Sequence, residues 1–189
     1  MDFSKAKLEP DWMGWERLRY AQVPNGIYPW LHDRASLTAR IKSVCQCAEF
    51  RVRVLRQGWG RPFYSERSLL GMRQGEIAIV REVELLCGEH PWVFARTLIP
   101  ASSLSGPARR LAHLGNRPLG EVLFSDQRTR RGVTQVARLL PRHRLFLAAV
   151  GELQERPAEI WGRRSLFSLS SKPLLVNEIF LPGIPKSPR

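Results

Sequence analysis

The amino-acid sequence predicts an α+β fold: one domain over 1–189, with a mainly antiparallel sheet covered by helices on one side. Two hairpin patterns point to it. Residues 76–99 alternate with period two, break at Gly88-Glu89-His90-Pro91 and resume at Trp92, and residues 161–181 do the same around Ser170-Ser171-Lys172-Pro173. The third observation is what lies between them: short segments with helical spacing, and none of the successive strand–helix–strand units that build a parallel sheet.

In chain order, residues 1–35 scatter Trp12, Trp15, Tyr20, Tyr28 and Trp30 among three prolines, which suits short helices or turns laid over a core. Ser36 is placed to cap a helix over 37–45, with Leu37, Ile41, Val44 and Cys45 as its buried stripe. Phe50 to Val54 alternates as a half-buried strand, with Arg51 and Arg53 on the wet side and Gly58 and Gly60 expected to end it. Residues 59–75 read as an irregular connection. In the strand that follows, Ile77, Ile79, Arg81, Val83, Leu85 and Cys87 share one face, and Glu82 and Glu84 the other. After its partner strand, a short helix is expected over 107–114 with Leu111 and Leu114 inward, and another from Pro118 through Phe124. Residues 125–160 are expected to be a basic, insertion-like connection. Arginines at 128, 130, 131, 138, 142 and 144, with Val136, Leu139 and Leu140 at helical spacing, suit an amphipathic helix facing an acidic partner or membrane surface, or a solvated helix face over the core.

An arginine among branched aliphatics must meet acceptors, because a buried charge deprived of its partner costs roughly 3–5 kcal/mol. Arg81 is in that position. It is half of a structural ion pair, or displaced into water by a register slip, or the cation of an anion-binding site. Period two places Glu178 with Leu174, Val176 and Phe180, so a carboxylate is stranded as well. The two either satisfy each other or point into one lined cavity, and only the second arrangement is a site. A desolvated carboxylate in such a cavity has its pKa raised, which suits proton transfer near neutrality. Backbone N–H groups around Leu119 and Gly120, at a helix start opened by Pro118, are donors that a carboxylate can use. Arg96, on a face with Trp92, Phe94 and Leu98, is a weaker second candidate whose ordinary role is structural pairing. His90 and His113 suit surface positions.

Charge and composition narrow the field less. Thirty Lys and Arg against 17 Asp and Glu give a formal charge of +13, which attracts anions of any kind without choosing among them. There is no Gly-rich phosphate loop, no HExxH and no GxSxG. Cys45, Cys47 and Cys87 form no CxxC pair, so they support neither a zinc site nor a disulfide framework and are expected to be reduced. No apolar run approaches the length of a membrane span, and the N-terminus lacks the apolar middle of a signal peptide; a cytoplasmic location is expected.

Three blocks in order, REVELLCGEHPWVFARTLIPASSLSG (81–106), LGNRPLGEVLF (114–124) and WGRRSLFSLSSKPLLVNEIFLP (161–182), resemble the chorismate pyruvate-lyase family over the C-terminal two-thirds of the chain. The resemblance implies a six-stranded antiparallel sheet whose helices enclose a buried ligand pocket. It implies a lyase that removes pyruvate from chorismate to give 4-hydroxybenzoate for ubiquinone synthesis, without metal or other cofactor. A monomer acting on a small molecule is expected, with no specific nucleic-acid partner and no stable membrane span. The family's ligand-contacting arginine falls on Arg81, the backbone-contacting leucine of its PLG element on Leu119, and the glutamate near the end of its last strand on Glu178. A methionine of its early helix aligns with Leu37, where this sequence departs but keeps an apolar wall. The span between Phe124 and Trp161 is longer and richer in arginine than in typical members.

Two other functions compete. The same sheet architecture resembles the effector-sensing domains of bacterial transcription regulators, which would make the chain a non-catalytic aromatic-acid-binding module; its first 45 residues are too short to supply the winged helix that normally precedes such domains. A basic nucleic-acid binder is the other, but no recognition-helix or RNA-binding signature accompanies the charge.

Overall fold

The computed structural model describes residues 8–18, 23–24, 26–46 and 48–186, with backbone alone for Trp15 and Pro107. Tyr20 and Cys47, noted above, lie outside the described residues. Among the described residues, seven strands form one sheet: β1 (Met13–Gly14), β2 (Phe50–Gly60), β3 (Ala78–Cys87), β4 (His90–Pro100), β5 (Thr129–Leu139), β6 (Ile160–Leu169) and β7 (Lys172–Phe180). Their order is β1-β5-β6-β7-β4-β3-β2, and every neighbouring pair is antiparallel. The helices are α1 (Tyr28–His32), α2 (Leu37–Val44), α3 (Tyr64–Leu69), α4 (Leu119–Ser125) and α5 (Arg144–Ala149), with a 3-10 stretch at Gly106–His113.

The two expected hairpins form the middle of the sheet. β3 and β4 turn at Gly88 (φ 59°), and β6 and β7 turn at Ser170 and Ser171, both with positive φ. The long return from β4 to β7 closes the core, setting Thr97 opposite Val176 and Ala95 opposite Glu178.

Helices cover both faces of the sheet, not one. On the first face, Val83, Leu85, Val93 and Ala95 pack under Trp30 and Leu31 of α1 and Leu37 and Ile41 of α2, while Ile79 and Ile99 pack under Leu111 of the 3-10 stretch and Leu123 of α4. On the second face, Phe94 and Ile179 meet Leu145 and Phe146 of α5, and Val80, Leu98 and Leu175 meet Leu70 beyond α3. Glu82 and Glu84 of β3 lie on this second face and are paired there, with Arg96 and Arg53, which lets the strand be buried on both sides.

Four local expectations are corrected. The 59–75 segment contains α3, whose start is fixed by Glu66 accepting from the Phe63 N–H (2.8 Å) and Glu9 accepting from the Tyr64 and Ser65 N–H groups (2.8 and 2.9 Å). β2 runs on through Gly58 to Gly60 as an edge strand. The basic stretch is β5, not a helix: Arg130 and Arg138 are exposed, while Val136 packs on one face of the sheet and Leu139 on the other, and their spacing imitates a helical stripe. Val44 is 41% exposed and drops out of the α2 stripe, while Ser36 caps that helix as expected, accepting from the Ala39 N–H at 3.4 Å.

Cys45 and Cys87 are joined by a disulfide, contrary to the expectation of reduced thiols, with their Cα atoms 5.7 Å apart. It ties the end of α2 to the end of β3. The two are 42 positions apart in sequence, so no local spacing announces the pair.

Candidate active site

Between the first face of the sheet and the helices α2 and α4 lies a cavity. Its floor is Arg81, Val83, Thr97, Val176 and Glu178, and its walls include Leu37 and Thr38 of α2, Leu119 and Gly120 of α4, and Phe167 of β6. The cavity proper is about 50 Å³, within about 580 Å³ of non-protein space that includes its open mouth. Its lining is mostly apolar, and its walls must give to admit a ring. Gly120 is what allows α4 so close to α2, since a Cβ there would lie 2.8 Å from Thr38 Oγ1.

Four of the residues singled out in the sequence reach this cavity, Arg81, Glu178, Leu119 and Leu37; Arg96 does not. Arg81 and Glu178 do not satisfy each other. They sit on strands flanking β4, offset by two residues along the sheet, because Arg81 is level with Thr97 and Val176 while Glu178 is level with Ala95 and Val83. Strand spacing and rise put their Cα atoms about 12 Å apart. A ring bearing polar groups at opposite ends can bridge that gap once both side chains reach inward.

Arg81 is 3% exposed and donates to Gln57 Oε1 at 2.6 Å and, more weakly, to the Arg117 carbonyl at 3.4 Å. Burial pushes its pKa below the usual arginine value. No described carboxylate lies within ion-pair distance of it, so its charge is held ready for an anion. Gln57 owes its place to a bulge. Register shifts by one between Val54 and Arg56, so that Gln57 faces Arg81; without the extra residue Arg56 would stand there, guanidinium against guanidinium.

Glu178 is not the stranded carboxylate that the sequence suggested. Arg163, directly opposite it on β6, donates from Nε to Oε2 at 2.5 Å. The same guanidinium donates from Nη1 to the carbonyls of Trp30 (3.0 Å) and Asp33, closing the end of α1. Arg131 of β5 brings a second guanidinium to 4.0 Å from that carboxylate oxygen. A bulge acts here too: register shifts between Arg131 and Thr134, letting both point to the cavity side, where Arg131 donates to Ser165 Oγ from Nε (3.1 Å) and Nη2 (2.8 Å).

Arg96 is on the opposite face and is structural. It donates to Glu66 at 2.9 Å and Glu82 at 2.5 Å and lies over the ring of Phe63. Gln57, Arg131 and Arg163 are the neighbours that sequence reasoning missed. Among the described residues, no group of three or more His, Cys, Asp or Glu side chains is placed to hold a metal ion, and no helix is long and apolar enough to cross a membrane.

The sequence model of the family described as chorismate lyase matches residues 10–187, well beyond the three blocks quoted above. A protein from Methylococcus capsulatus named "Probable chorismate pyruvate-lyase" is 49% identical over 155 residues, covering 82% of this chain and 94% of that one. One of the same name from Nitrosospira multiformis is 40% identical over 166 residues, covering 86% and 92%. Among solved structures, the C-terminal domain of the histidine utilization repressor from Pseudomonas syringae pv. tomato superposes with a TM-score of 0.57 at 12% identity, covering 75% of this chain and 97% of that one, a likeness of fold alone. On the family match and on relatives alike over most of both chains, this chain belongs to the chorismate lyase family.

Proposed function

We propose that this protein eliminates pyruvate from chorismate to give 4-hydroxybenzoate, the aromatic ring used for ubiquinone. The observation that carries the reading is the cavity of a chorismate lyase family chain holding a buried guanidinium without an acid partner on the same sheet face as a carboxylate, with apolar walls between them. Chorismate is a dianion with an enolpyruvyl ether beside a ring carbon that bears a hydroxyl. The bond from the ring to the ether oxygen breaks with its electron pair leaving on that oxygen. The hydroxyl-bearing carbon gives up its proton, the ring becomes aromatic, and the departing enol is protonated at its methylene carbon to become pyruvate. Nothing is oxidised or reduced overall. The chain's task is orientation and charge placement, and no cofactor is invoked.

Arg81 clamps the ring carboxylate through charge-assisted hydrogen bonds, with the Leu119 amide as a supplementary donor. Glu178 holds the ring hydroxyl and assists proton movement at the carbon that bears it. Leu37 and Phe167 are the apolar walls that exclude water. The reading takes the chain as a single domain acting as a cytoplasmic monomer on a small molecule.

The test is pyruvate release from chorismate by the purified protein, coupled to lactate dehydrogenase, with and without a chelator. Stoichiometric pyruvate and 4-hydroxybenzoate, unaffected by the chelator, are expected. Activity abolished by the chelator and restored by a metal would overturn the cofactor-independent mechanism. The likeness in fold to a repressor's C-terminal domain favours a second reading, a non-catalytic aromatic-acid receptor. That reading predicts 4-hydroxybenzoate binding without pyruvate release.

A further inference from the structure

The Glu178 end of the cavity carries more positive charge than Glu178 balances. Arg163 donates to its carboxylate at 2.5 Å, and Arg131 stands 4.0 Å from the same oxygen. Asp33, the next acid, is engaged by Arg40 at 3.0 Å. With Arg81 in the cavity at the other end and Arg131 and Arg163 behind Glu178, three guanidiniums and one carboxylate leave a charge of two positive units in and beside an apolar space. Burial first, and then the nearby Arg163, push the Arg131 pKa below its usual value against the opposite pull of Glu178 and Asp33.

Arg131 is also placed to reach a ligand. It stands beside the first cavity, behind Phe167, with its guanidinium 5.3 Å from the centroid of that wall's ring, and it lines a second, more open space of about 770 Å³ with Leu31, Asp33, Arg34 and Thr134. It is held by Ser165 Oγ and by the Arg34 carbonyl (2.9 Å), three hydrogen bonds that leave two of its five N–H groups without an acceptor among the described residues. Arg163 repeats the pattern, its Nη2 being buried with no acceptor among the described residues. The second bulge of the sheet is what turns Arg131 toward this spot.

The charge asks for a second anion, and the substrate proposed above has one. If Arg81 takes the ring carboxylate and Glu178 the hydroxyl, the enolpyruvyl group on the adjacent ring carbon brings its carboxylate beside Glu178. We propose that Arg131 binds the side-chain carboxylate of the substrate, forming a second anion subsite that distinguishes the dianionic substrate from the monoanionic aromatic product. This rests on the functional reading given above. Arg131 then acts on chorismate and not on 4-hydroxybenzoate.

The experiment compares wild type, R131M and R131K, measuring kcat/KM for chorismate by pyruvate release and Kd for 4-hydroxybenzoate by calorimetry. R131M is expected to lower kcat/KM by about 10- to 100-fold, the loss of one charge-assisted contact. Its product Kd should stay within about threefold of wild type, since charged contacts matter only where a charge meets them. R131K should recover part of the loss. As a second variant, S165A removes the hydroxyl that orients Arg131 while keeping its charge, and the same split between substrate and product is expected from it. Product affinity falling in parallel with kcat/KM would overturn the proposal, because Arg131 would then only support Glu178; unchanged kcat/KM would overturn it as well. A wild-type protein that binds 4-hydroxybenzoate but releases no pyruvate fails earlier and differently, overturning the functional reading beneath the subsite.

Discussion

Replacing Arg81 by methionine separates a residue kept for ligand from one kept for folding. The side chain is 3% exposed, makes one short hydrogen bond to Gln57 and a long one to the Arg117 carbonyl, and its pKa is lowered by burial. Removing the guanidinium forfeits that bonding but also removes a desolvated charge, and methionine fills a similar volume. Stability should therefore change by no more than about 1–2 kcal/mol, a shift in Tm of at most about 8 °C for a chain of this size. A bound carboxylate loses far more. At about 4 Å and an effective dielectric near 20, its attraction to the guanidinium is about 4 kcal/mol, or roughly a thousandfold in affinity. Calorimetry with 4-hydroxybenzoate and a thermal melt by circular dichroism read the two quantities on one preparation. A Kd within about threefold of wild type would remove Arg81 from the site. A Tm loss well beyond about 8 °C would make it a structural residue.

Arg96→Met is the contrasting case: Glu66, 2% exposed, loses its cation, at about 3–5 kcal/mol, so Tm should fall by about 6–20 °C while turnover per folded molecule is retained; an unchanged melt refutes the assignment. Glu178→Gln keeps an acceptor for Arg163 but should lower kcat by about 100-fold, with a smaller loss of Tm than Arg96→Met; unchanged kinetics would make Glu178 structural. His143, whose Nδ1 accepts from the Leu140 N–H at 3.0 Å, has its pKa lowered by burial and, secondarily, by Arg142. Its folded pKa lies below its unfolded one, so its contribution is complete above the unfolded value near pH 6.5 and is lost as pH falls below it. Urea midpoints should therefore drop between about pH 7 and 5, and His143→Gln should flatten that slope; an identical slope counts against it. The Cys45–Cys87 bond closes a loop with a sequence separation of 42, worth about 4 kcal/mol in the loop-entropy account. Reductant should lower Tm by about 8–16 °C, and a Cys87→Ser variant that melts like the unreduced wild type would refute the contribution.

Arg81 and Glu178 could be found in the sequence because each breaks a period-two apolar face, and that signal survives whatever the strands pair with. Leu119 followed from the proline that opens its helix together with the family's PLG element, whereas Leu37 as a site residue came from the resemblance alone, because a serine cap places a helix and says nothing of ligand. The partners could not be found this way. Gln57 faces Arg81, and Arg131 shares a face with Phe167 and Thr134, only because a bulge inserts one residue into β2 and another into β5, and period-two counting is reversed beyond each. Arg163 and Arg164 are adjacent on a strand buried on both faces, so alternation says that one points each way without saying which is at the site. In the fold Arg164 turns to the second face, donating to Gln135 and Ser65 at 2.8 Å. β5 reads as a helix because Val136 and Leu139 pack on opposite faces at helical spacing, and its bulge breaks the alternation that marks a strand. The disulfide depends on tertiary approach alone.

The central claim is that a buried guanidinium and a distant carboxylate grip opposite ends of one aromatic acid. A crystal structure with 4-hydroxybenzoate tests it most directly. The account predicts the ligand's carboxylate within about 3 Å of the Arg81 guanidinium and its hydroxyl at the same distance from Glu178. A ligand bound elsewhere, or in this cavity with its carboxylate turned away from Arg81, would contradict it.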